Sequence, residues 1–562
     1  MVAEAMEILH RSHLARICVS EVAGVSVSTP LLIVSGSEES MGIRAEGISR
    51  IIHWGELRII GDQKITPPVA MGSGAVCHHD QGLTSIRLPL PEDLEGLKGK
   101  SMVIVENMFE LRRDPKAMAS SLSEVRRVCG PETLLMATGI AEPSNMALLF
   151  YMGVDVIDDT LAKSMAARGI LLRPEGRFHS DAPLEELERA NQGMMQEELE
   201  LVKAFLVKDR LRELVDQRAC SSPSNVVALR SFDSKCWENT EEYVPVIGTR
   251  FACNTPQSLF RPDVVRHRTR VLQRYRAPAH KRILVLLPCS AKKPYFTSRS
   301  HRRFIEAIRS GDHFSLVHEV IVTSPLGLVP RELETFYPAA HYDIPVSGEW
   351  TSEEVSMING MLKSYLETNH YDQVFSHLGD DGLLTQGIEL TDTSLGSPGS
   401  DEALRNLDDG IRRACSEHKR VPGMIDRVNT MESMLRYQMG DVGPALIEGC
   451  EVIGKYPYWK VMEGKRQLAM HTPDRGMASL TIEGADRILA EKRNLVHIED
   501  FKLKGNVFAV GVYEADPLIR IGDEVVVVQG DSVAAVGVAQ MSGSEMVALS
   551  RGIAVKVRHK SK

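Results

Sequence analysis

None of the nine cysteines belongs to a Cys-x-x-Cys pair; they are spread singly along 562 residues. Iron–sulfur clusters and most structural zinc sites need closely spaced ligands, so this spacing weighs against both. An odd, dispersed set of cysteines is typical of reduced thiols and not of a disulfide framework. The segment Cys77-His78-His79-Asp80 has metal-ligand residue types, but adjacent side chains of a strand point to opposite faces. We therefore expect no metal site.

The sequence also has no apolar run long enough to span a bilayer. Its first residues lack a basic region followed by an apolar core, so no secretory signal is recognisable. We expect a cytoplasmic protein without membrane contact. The net charge of −9 provides no overall attraction to nucleic acid. At 562 residues the chain is too long for one core, and domains of about 150 residues predict roughly four.

Basic residues are nevertheless concentrated between Arg261 and Arg282, where Asp263 is the one acidic residue. Clustered arginines interleaved with histidine and tyrosine suit contact with phosphates. The same pattern fits a solvated linker helix, and the residues alone leave both interpretations open. The candidates for RNA contact in this tract are Arg266, Arg268, Arg270 and Arg274.

The stretch from Ile283 to His301, which we call the signature segment, is the richest in reactive side chains. An apolar strand ends at Pro288, and ligands of open α/β sheets bind at the carboxyl ends of strands. Lysines or an imidazolium near Cys289 would lower its thiol pKa and favour the nucleophilic thiolate. An ordinary strand-to-helix turn with an inert thiol is the alternative. The catalytic candidates are Cys289, Ser290, Lys292, Lys293, Tyr295, Ser298 and His301.

Short apolar strands alternate with helical stretches on both sides of the basic tract, which predicts parallel sheets with crossover helices. Before the tract, such a sheet can be open or closed into a barrel. The strands near the carboxyl terminus are separated by Gly and Asp turns, which predicts a compact β-barrel.

The signature Pro-Cys-Ser-x-Lys-Lys-Pro-Tyr-x-x-Ser-x-Ser-His resembles that of the archaeosine synthases, the archaeal paralogues of tRNA-guanine transglycosylase. Residues 138–140 with 148–159 resemble the transglycosylase barrel, and residues 508–512 with 519–525 resemble a PUA domain. The resemblance implies an α/β multidomain protein. Its expected parts are a transglycosylase-like (β/α) barrel (1–275), an α/β core (276–425), a small α+β domain (426–484) and a β-barrel PUA domain (485–562).

The same resemblance implies an enzyme without a cofactor. It would add the side-chain amine of free lysine to the nitrile of 7-cyano-7-deazaguanine (preQ0) at position 15 of the tRNA D-loop. A partner radical SAM enzyme would then cleave the adduct to archaeosine, and the synthase itself could act as a homodimer. The implied substrate-binding residues are Asp158, Arg331, Glu332, His341, Asp343 and Glu349. The RNA-binding candidates near the carboxyl terminus are Phe508, Arg520, Lys556 and Arg558.

Two other functions stay open from the sequence. Asp158 occupies the position of the transglycosylase's nucleophilic aspartate, so the chain could be a working transglycosylase. The base-recognition motif Asp-Ser-Gly-Gly-Phe-Gln and the Cys-x-Cys-x-x-Cys zinc ligands of that family are missing, however. The chain could also be a non-catalytic tRNA-binding scaffold. For the synthase reaction, attack by Cys289 and direct attack by the amine are both compatible with the residues.

Overall fold

The computed structural model describes all residues except 1–5, 23–24, 35–50, 55–56, 61–62, 66–75, 79–82, 312–313, 346–349, 380–387 and 562. The chain divides into two compact units. The first unit comprises Met1–Pro245, Phe501–Ile521 and Ala539–Lys556, and the second comprises Val246–Asp500, Gly522–Val538 and Val557–Lys562. Across the residues described, no helix has the length and apolar character needed to cross a membrane. The four domain boundaries given above stay a prediction.

The first unit begins with strands and continues with alternating strands and helices. Its strands before residue 245 are Glu7–Ser12, Ala15–Val22, Val25–Thr29, Leu31–Ile33, Ile51–Trp54, Leu57–Ile60, Gln63–Ile65, Val76–His78, Leu83–Ile86, Met102–Val105, Leu134–Ala137, Val156–Asp158, Ile170–Arg173 and Gly176–His179. Its α-helices there are Met108–Leu111, Pro115–Cys129, Met146–Tyr151, Thr160–Ala166, Leu184–Val207, Leu211–Ala219, Pro223–Lys235 and Trp237–Thr240.

Parallel pairing holds the main sheet of the first unit together. In spatial order its strands are Leu31–Ile33, Val156–Asp158, Leu134–Ala137, Met102–Val105, Leu83–Ile86 and Val76–His78. Each neighbouring pair is parallel except the last, which is antiparallel. Strands buried on both faces read as continuous apolar runs, and the fully buried run Met102–Val105 is one of them. The predicted alternation of strands and crossover helices is confirmed.

A buried carboxylate fixes one end of this sheet. Asp155 accepts hydrogen bonds from Arg16 Nε at 2.8 Å and from Arg126 Nη2 at 2.5 Å. The backbone N–H of Leu135 also donates to it, at 2.9 Å. Burial raises the pKa of Asp155, but the two guanidinium groups outweigh burial and hold it below its usual range. The carboxylate therefore stays ionised. Its hydrogen bonds connect the strand Ala15–Val22, which contains Arg16, with the strand Leu134–Ala137.

The second unit contains the signature segment. Its strands before residue 500 are Phe251–Ala252, Ile283–Pro288, Val317–Thr323, Gly327–Pro330, Tyr342–Asp343, Gln373–Ser376, Thr391–Asp392, Glu451–Lys455, Tyr458–Glu463, Arg466–Thr472, Met477–Leu480 and Leu495–Ile498. Its α-helices there are Pro262–Gln273, Arg299–Ile308, Ser352–Thr368, Asp401–Cys415, Gly423–Met439, Val442–Ile447 and Ile482–Ile488.

The signature strand Ile283–Pro288 lies in the middle of a five-stranded sheet. It pairs in parallel with Val317–Thr323 on one side and Gln373–Ser376 on the other. The strands Gly327–Pro330 and Thr391–Asp392 form the two edges. A central position buries the strand on both faces and directs the segment after Pro288 to the carboxyl edge of the sheet, as the sequence predicts.

A four-stranded antiparallel sheet follows in the second unit, covered by the helix Gly423–Met439. Its strands span Glu451–Lys455 to Met477–Leu480 in sequential order. Successive hairpins of this kind need no crossover, in contrast to the parallel sheet before it. The predicted small α+β element is therefore present.

The carboxyl-terminal residues add short strands and one helix, which are divided between the two units. These elements are Val507–Phe508, Val512–Ala515, Glu524–Gln529, Ser532–Ala539, the helix Gly543–Ala548 and Ile553–Lys560. Within the second unit, Glu524–Gln529 pairs with Leu495–Ile498 and with the next strand of the hairpin. A 3-10 turn at Ala509–Gly511 separates the strands Val507–Phe508 and Val512–Ala515.

Candidate active site

Cys289 lines a cavity of about 380 Å³ at the carboxyl end of the signature strand. We call this the signature cavity. The residues that form it come from the turns after several strands and from the start of the helix Ser352–Thr368. They include Cys253, Asn254, Ser258, Pro288, Cys289, Ser324, Ile344, Trp350, Thr351, Glu354 and Leu378. Among the residues that the structure describes, Cys289 is the one catalytic candidate from the sequence that lines this cavity.

One carboxylate of the signature cavity is held in a fixed position. Thr351 is the N-cap of the helix Ser352–Thr368, and its side chain and the Glu354 carboxylate form a capping box. The Thr351 backbone N–H donates to Glu354 Oε2 at 2.7 Å, and Ser324 Oγ donates to Oε1 at 2.5 Å. A carboxylate positioned in this way can accept a proton from a substrate amine or hold its ammonium form.

Lys293 is the cation of the signature segment that interacts electrostatically with Cys289, although it does not line the signature cavity among the residues described. Its Nζ lies 4.0 Å from the centroid of the Tyr342 ring and has no hydrogen-bond partner within the described part of the chain. Burial lowers the pKa of Lys293, while the nearby Cys289 and Asp343 act in the opposite direction. A lysine whose pKa is lowered by partial burial gives up its proton more readily than an exposed one.

Tyr295 and His301, which the sequence places among the catalytic candidates, are both fully buried. The Tyr295 hydroxyl is hydrogen-bonded to the Tyr342 hydroxyl, and burial raises the pKa of Tyr295 above its usual range. Arg331 Nη2 donates to His301 Nδ1 at 3.0 Å, and burial together with Arg331 lowers the pKa of His301 to about 2. His301 is therefore neutral near pH 7 and does not provide the imidazolium that the sequence offered as one alternative beside Cys289. The other alternative, a lysine, is represented by Lys293.

The remaining candidates of the signature segment shape its backbone. Ser290 Oγ donates to the carbonyl oxygen of Lys292 at 3.1 Å, and the Lys292 side chain is exposed. Ser298 is the N-cap of the helix Arg299–Ile308 and accepts from the His301 backbone N–H at 3.2 Å. These contacts give the two serines a structural role in the turn.

Arg331 and Glu332 line a different cavity, of about 440 Å³, which lies against the helix Arg299–Ile308. We call this the second cavity. Arg331 pairs with Glu319 at 2.7 Å and with Glu334 at 3.2 Å, and Glu332 accepts from the Tyr275 hydroxyl at 2.6 Å. Burial raises the pKa of Glu334 to about 7, an effect that Arg331 partly opposes. Within the described part of the chain, the two cavities share no lining residue.

The other expected substrate-binding residues are distributed over both units. Asp343 pairs with Arg250 at 2.9 Å, and burial lowers the pKa of the half-buried His341. Glu349 lies outside the described residues. Asp158, in the first unit, is 0% exposed and accepts from the backbone N–H groups of Gly139 and Thr160 at 3.0 and 3.1 Å.

The basic tract is mostly packed into the second unit. Arg266 is 5% exposed and Arg270 9%, and Arg268 donates to the Pro325 and Leu259 carbonyl oxygens. Burial lowers the pKa of Arg268 to about 10. Arg274 is half-buried. These positions count against the tract as an open RNA surface, because a phosphate has no access to a buried guanidinium.

The carboxyl-terminal candidates differ from one another in exposure. Phe508 is 54% exposed, and Lys556 is also exposed. Arg520, in contrast, is 9% exposed and donates from Nε to Glu241 at 2.6 Å within the first unit. Arg558 is ion-paired with Glu524 within the second unit. Phe508 and Lys556 are thus the two that remain available to a ligand.

Several residues of the signature cavity have no role in the sequence analysis. Cys253 and the turn at residues 254–259 lie far from the signature segment in sequence, and no motif marks them. Thr351 and Glu354 could have been identified, because Thr-x-x-Glu before an apolar run is the pattern of a capping box. That pattern predicts a helix start, however, and not a cavity.

Comparison with known proteins shows which chains this one is similar to. Residues 264–411 match the family described as "Domain of unknown function (DUF5591)", and residues 498–560 match the PUA domain family. The chain is 35% identical over 518 residues to archaeosine synthase subunit alpha of Methanosarcina acetivorans, covering 83% of this chain and 81% of that relative. It is 31% identical over 506 residues to the protein of the same name from Thermoplasma acidophilum, covering 88% and 97%. It is 27% identical over 380 residues to the tRNA-guanine(15) transglycosylase of Methanobrevibacter smithii, covering 64% and 52%.

The PUA match confirms the fold expected for the carboxyl-terminal residues. The transglycosylase match agrees with the transglycosylase resemblance of the sequence. Together with the parallel sheets, these similarities confirm an α/β multidomain protein.

Proposed function

Because the chain belongs to the archaeosine synthase family, a family of tRNA-modifying transferases, we propose that it adds the side-chain amine of free lysine to the nitrile of preQ0. The acceptor would be preQ0 at position 15 of the tRNA D-loop. The product would be an amidine that contains every atom of both reactants. The observation that supports this proposal is the placement of Cys289 in a cavity with a fixed carboxylate, Glu354, and with Lys293 close by.

The first step is attack of the Cys289 thiolate on the nitrile carbon. A nearby ammonium stabilises a thiolate, and Lys293 is the candidate for that role. As the carbon–sulfur bond forms, the nitrile nitrogen takes up a proton, which the Lys293 ammonium can supply. The result is a thioimidate, –C(=NH)–S–, joined to Cys289.

The second step is attack by the substrate amine. Free lysine is mostly protonated near neutral pH, so its ammonium must first lose a proton. Lys293, neutral after the first step, or the Glu354 carboxylate can accept it. The amine then adds to the thioimidate carbon, the carbon–sulfur bond breaks, and Cys289 leaves as the thiolate. An amidinium product remains, and no oxidant or reductant is needed.

The test is mass spectrometry of preQ0-containing tRNA after incubation with the enzyme and lysine. We expect the modified nucleoside to gain the mass of one lysine without loss of water. In Cys289→Ser, adduct formation should fall by about a hundredfold or more, because the nucleophile is removed. Cys220→Ser is the matched control, since Cys220 is an exposed thiol of the first unit. Near-normal activity of Cys289→Ser would exclude the thioimidate and leave direct attack by the amine.

We also propose that a radical SAM enzyme consumes the adduct, since the lysine carbons must be removed to leave archaeosine. The base-exchange alternative has less support, because the Asp158 carboxylate is buried and accepts two backbone N–H groups. An exchange assay with labelled guanine and unmodified tRNA tests it, and we expect no incorporation.

A further inference from the structure

The second cavity has an acidic interior and a basic edge. The carboxylates of Glu319, Glu332 and Glu334 are 7%, 4% and 0% exposed. Arg331 lies among them and pairs with two of the three. At the exposed edge the charge is reversed, because three cations face one carboxylate. These edge residues are Arg302, Arg309, Lys455 and Glu306. The edge attracts anions, and the interior offers hydrogen-bond acceptors.

The edge cations are available to a ligand. Neither Arg302 nor Lys455 has an ion-pair or hydrogen-bond partner for its side chain in the described part of the chain. The Arg309 guanidinium lies 5.9 Å from the centroid of the Phe314 ring, which is 40% exposed. An exposed aromatic ring beside an arginine is an arrangement on which nucleic-acid bases stack.

Aromatic rings also form a wall of the second cavity. The Phe296 and Tyr456 ring centroids are 5.9 Å apart, and those of Tyr456 and Trp459 are 5.4 Å apart. Trp459 is 7% exposed, and its Nε1–H has no hydrogen-bond partner among the described residues. A buried donor without a partner costs free energy, so it marks a place where a ligand acceptor would be favourable.

We propose that the second cavity binds one unstacked nucleotide of the RNA substrate. Its phosphates would contact the edge cations, and its base would stack on the aromatic side chains. The base N–H groups would donate to the buried carboxylates, and a base acceptor would receive the Trp459 N–H. The three edge cations exceed what the single carboxylate of a free amino acid would need. The choice of RNA as the ligand rests on the proposed function.

The experiment measures binding of full-length tRNA to the intact protein, without lysine, over a range of salt concentrations. Arg302→Ala and Arg309→Ala should each weaken binding by about three- to tenfold at low salt. The slope of log Kd against log salt should decrease by about 0.7–0.9 for each lost phosphate contact. Arg299→Ala is the matched control: Arg299 is an exposed arginine of the same helix that does not line the second cavity.

Trp459→Phe tests the interior of the cavity, because it keeps an aromatic ring and removes the N–H. We expect weaker tRNA binding with an unchanged salt slope, since no charge is lost. Thermal unfolding of each variant checks that the fold is retained. If Arg302→Ala and Arg309→Ala bind tRNA like Arg299→Ala, the proposal is overturned. Because no lysine is present, a failure here is distinguishable from a failure of the adduct chemistry.

Discussion

The Lys293 ammonium lies 4.0 Å from the centroid of the Tyr342 ring. The ring is held in place by its hydroxyl, which contacts the Tyr295 hydroxyl and Thr323 Oγ1, the latter at 2.5 Å. A cation over an aromatic face is attracted by the ring quadrupole, and more strongly where water is excluded. Tyr342 therefore positions the lysine that we place beside Cys289, although it contacts neither substrate.

Substitution of Tyr342 tests this positioning. Tyr342→Leu removes the ring and should lower the rate of adduct formation by about tenfold. A cation–π contact contributes about 0.5–1 kcal/mol when exposed and about 2 kcal/mol when desolvated, and the half-buried Lys293 lies between these cases. Tyr342→Phe keeps the ring and removes only the hydroxyl contacts, so it should retain more activity. Single-turnover kinetics with saturating tRNA and lysine provides the measurement.

One result of comparing Tyr342→Phe with Tyr342→Leu would contradict the role of the ring. If Tyr342→Phe loses as much activity as Tyr342→Leu, the hydroxyl network and not the ring is what matters. Thermal unfolding of both variants serves as a control for destabilisation. A general loss of stability would lower the unfolding midpoint and would reduce the adduct-formation rate of both variants alike.

Lys293 should control the reactivity of Cys289. Lys293→Met removes the cation while it keeps an unbranched side chain, so the thiolate loses a stabilising charge. We expect alkylation of Cys289 by iodoacetamide to shift to higher pH in this variant. The measurement is the pH profile of the alkylation rate, followed by mass spectrometry of the peptide that contains Cys289.

Exposed Cys220 is an internal reference in the same sample, because it lies in the other unit. Its profile should be identical in the wild type and in Lys293→Met. An unchanged profile for Cys289 would mean that Lys293 does not stabilise its thiolate.

Much of the fold follows from the sequence because buried parallel strands have a distinctive pattern. Ile283–Pro288 and Met102–Val105 are short apolar runs bounded by polar segments, and both are strands. The burial of the basic tract, in contrast, does not follow from the sequence pattern. Its arginines suit phosphate contact by composition, but Arg266 and Arg270 are buried. Burial depends on which elements pack against the helix Pro262–Gln273, and local sequence does not specify that.

The candidate site was predictable in part, because a buried strand and its end can be recognised in the sequence. A strand end places Cys289 at the carboxyl edge of a sheet, and this position follows from the sequence. Which of its neighbours turn toward the cavity does not follow. Tyr295 and His301 are within twelve residues of Cys289 in sequence, yet both point into the core. Cys253 and Glu354 approach from distant segments, which only the tertiary fold brings together.

Buried histidines predict how stability changes with pH. Burial lowers the pKa of His267 and of His471 to about 4, and burial with Arg331 lowers that of His301 to about 2. The unfolded chain therefore binds more protons than the folded one below about pH 6.5. The free energy of unfolding should fall as the pH decreases from 6.5, by about 1.4 kcal/mol per pH unit for each histidine.

Urea unfolding at several pH values measures this dependence. His471→Asn removes one titrating imidazole. In the wild type this imidazole stacks on the Phe336 ring, with the two centroids 5.5 Å apart. We expect this variant to be less stable at pH 7 but to lose stability less steeply below pH 6.5. An unchanged slope would show that His471 does not stay neutral in the folded protein.

Arg331 should be the most costly side chain of the second cavity to remove. It is 9% exposed and compensates two buried carboxylates, those of Glu319 and Glu334, while it also donates to His301. Arg331→Met leaves these carboxylates without a cation, which costs about 3–5 kcal/mol for a buried ion pair broken on one side. The midpoint of urea unfolding should therefore decrease strongly.

Neutralising one of the remaining carboxylates provides the control. Burial raises the pKa of Glu334 to about 7, so Glu334→Gln should cost little by itself. The double variant Arg331→Met with Glu334→Gln should then recover part of the stability lost in Arg331→Met, because one unpaired buried charge is gone. If the two substitutions are additive instead, Arg331 stabilises the unit through its packing and its contact with His301, and not by charge compensation of Glu334.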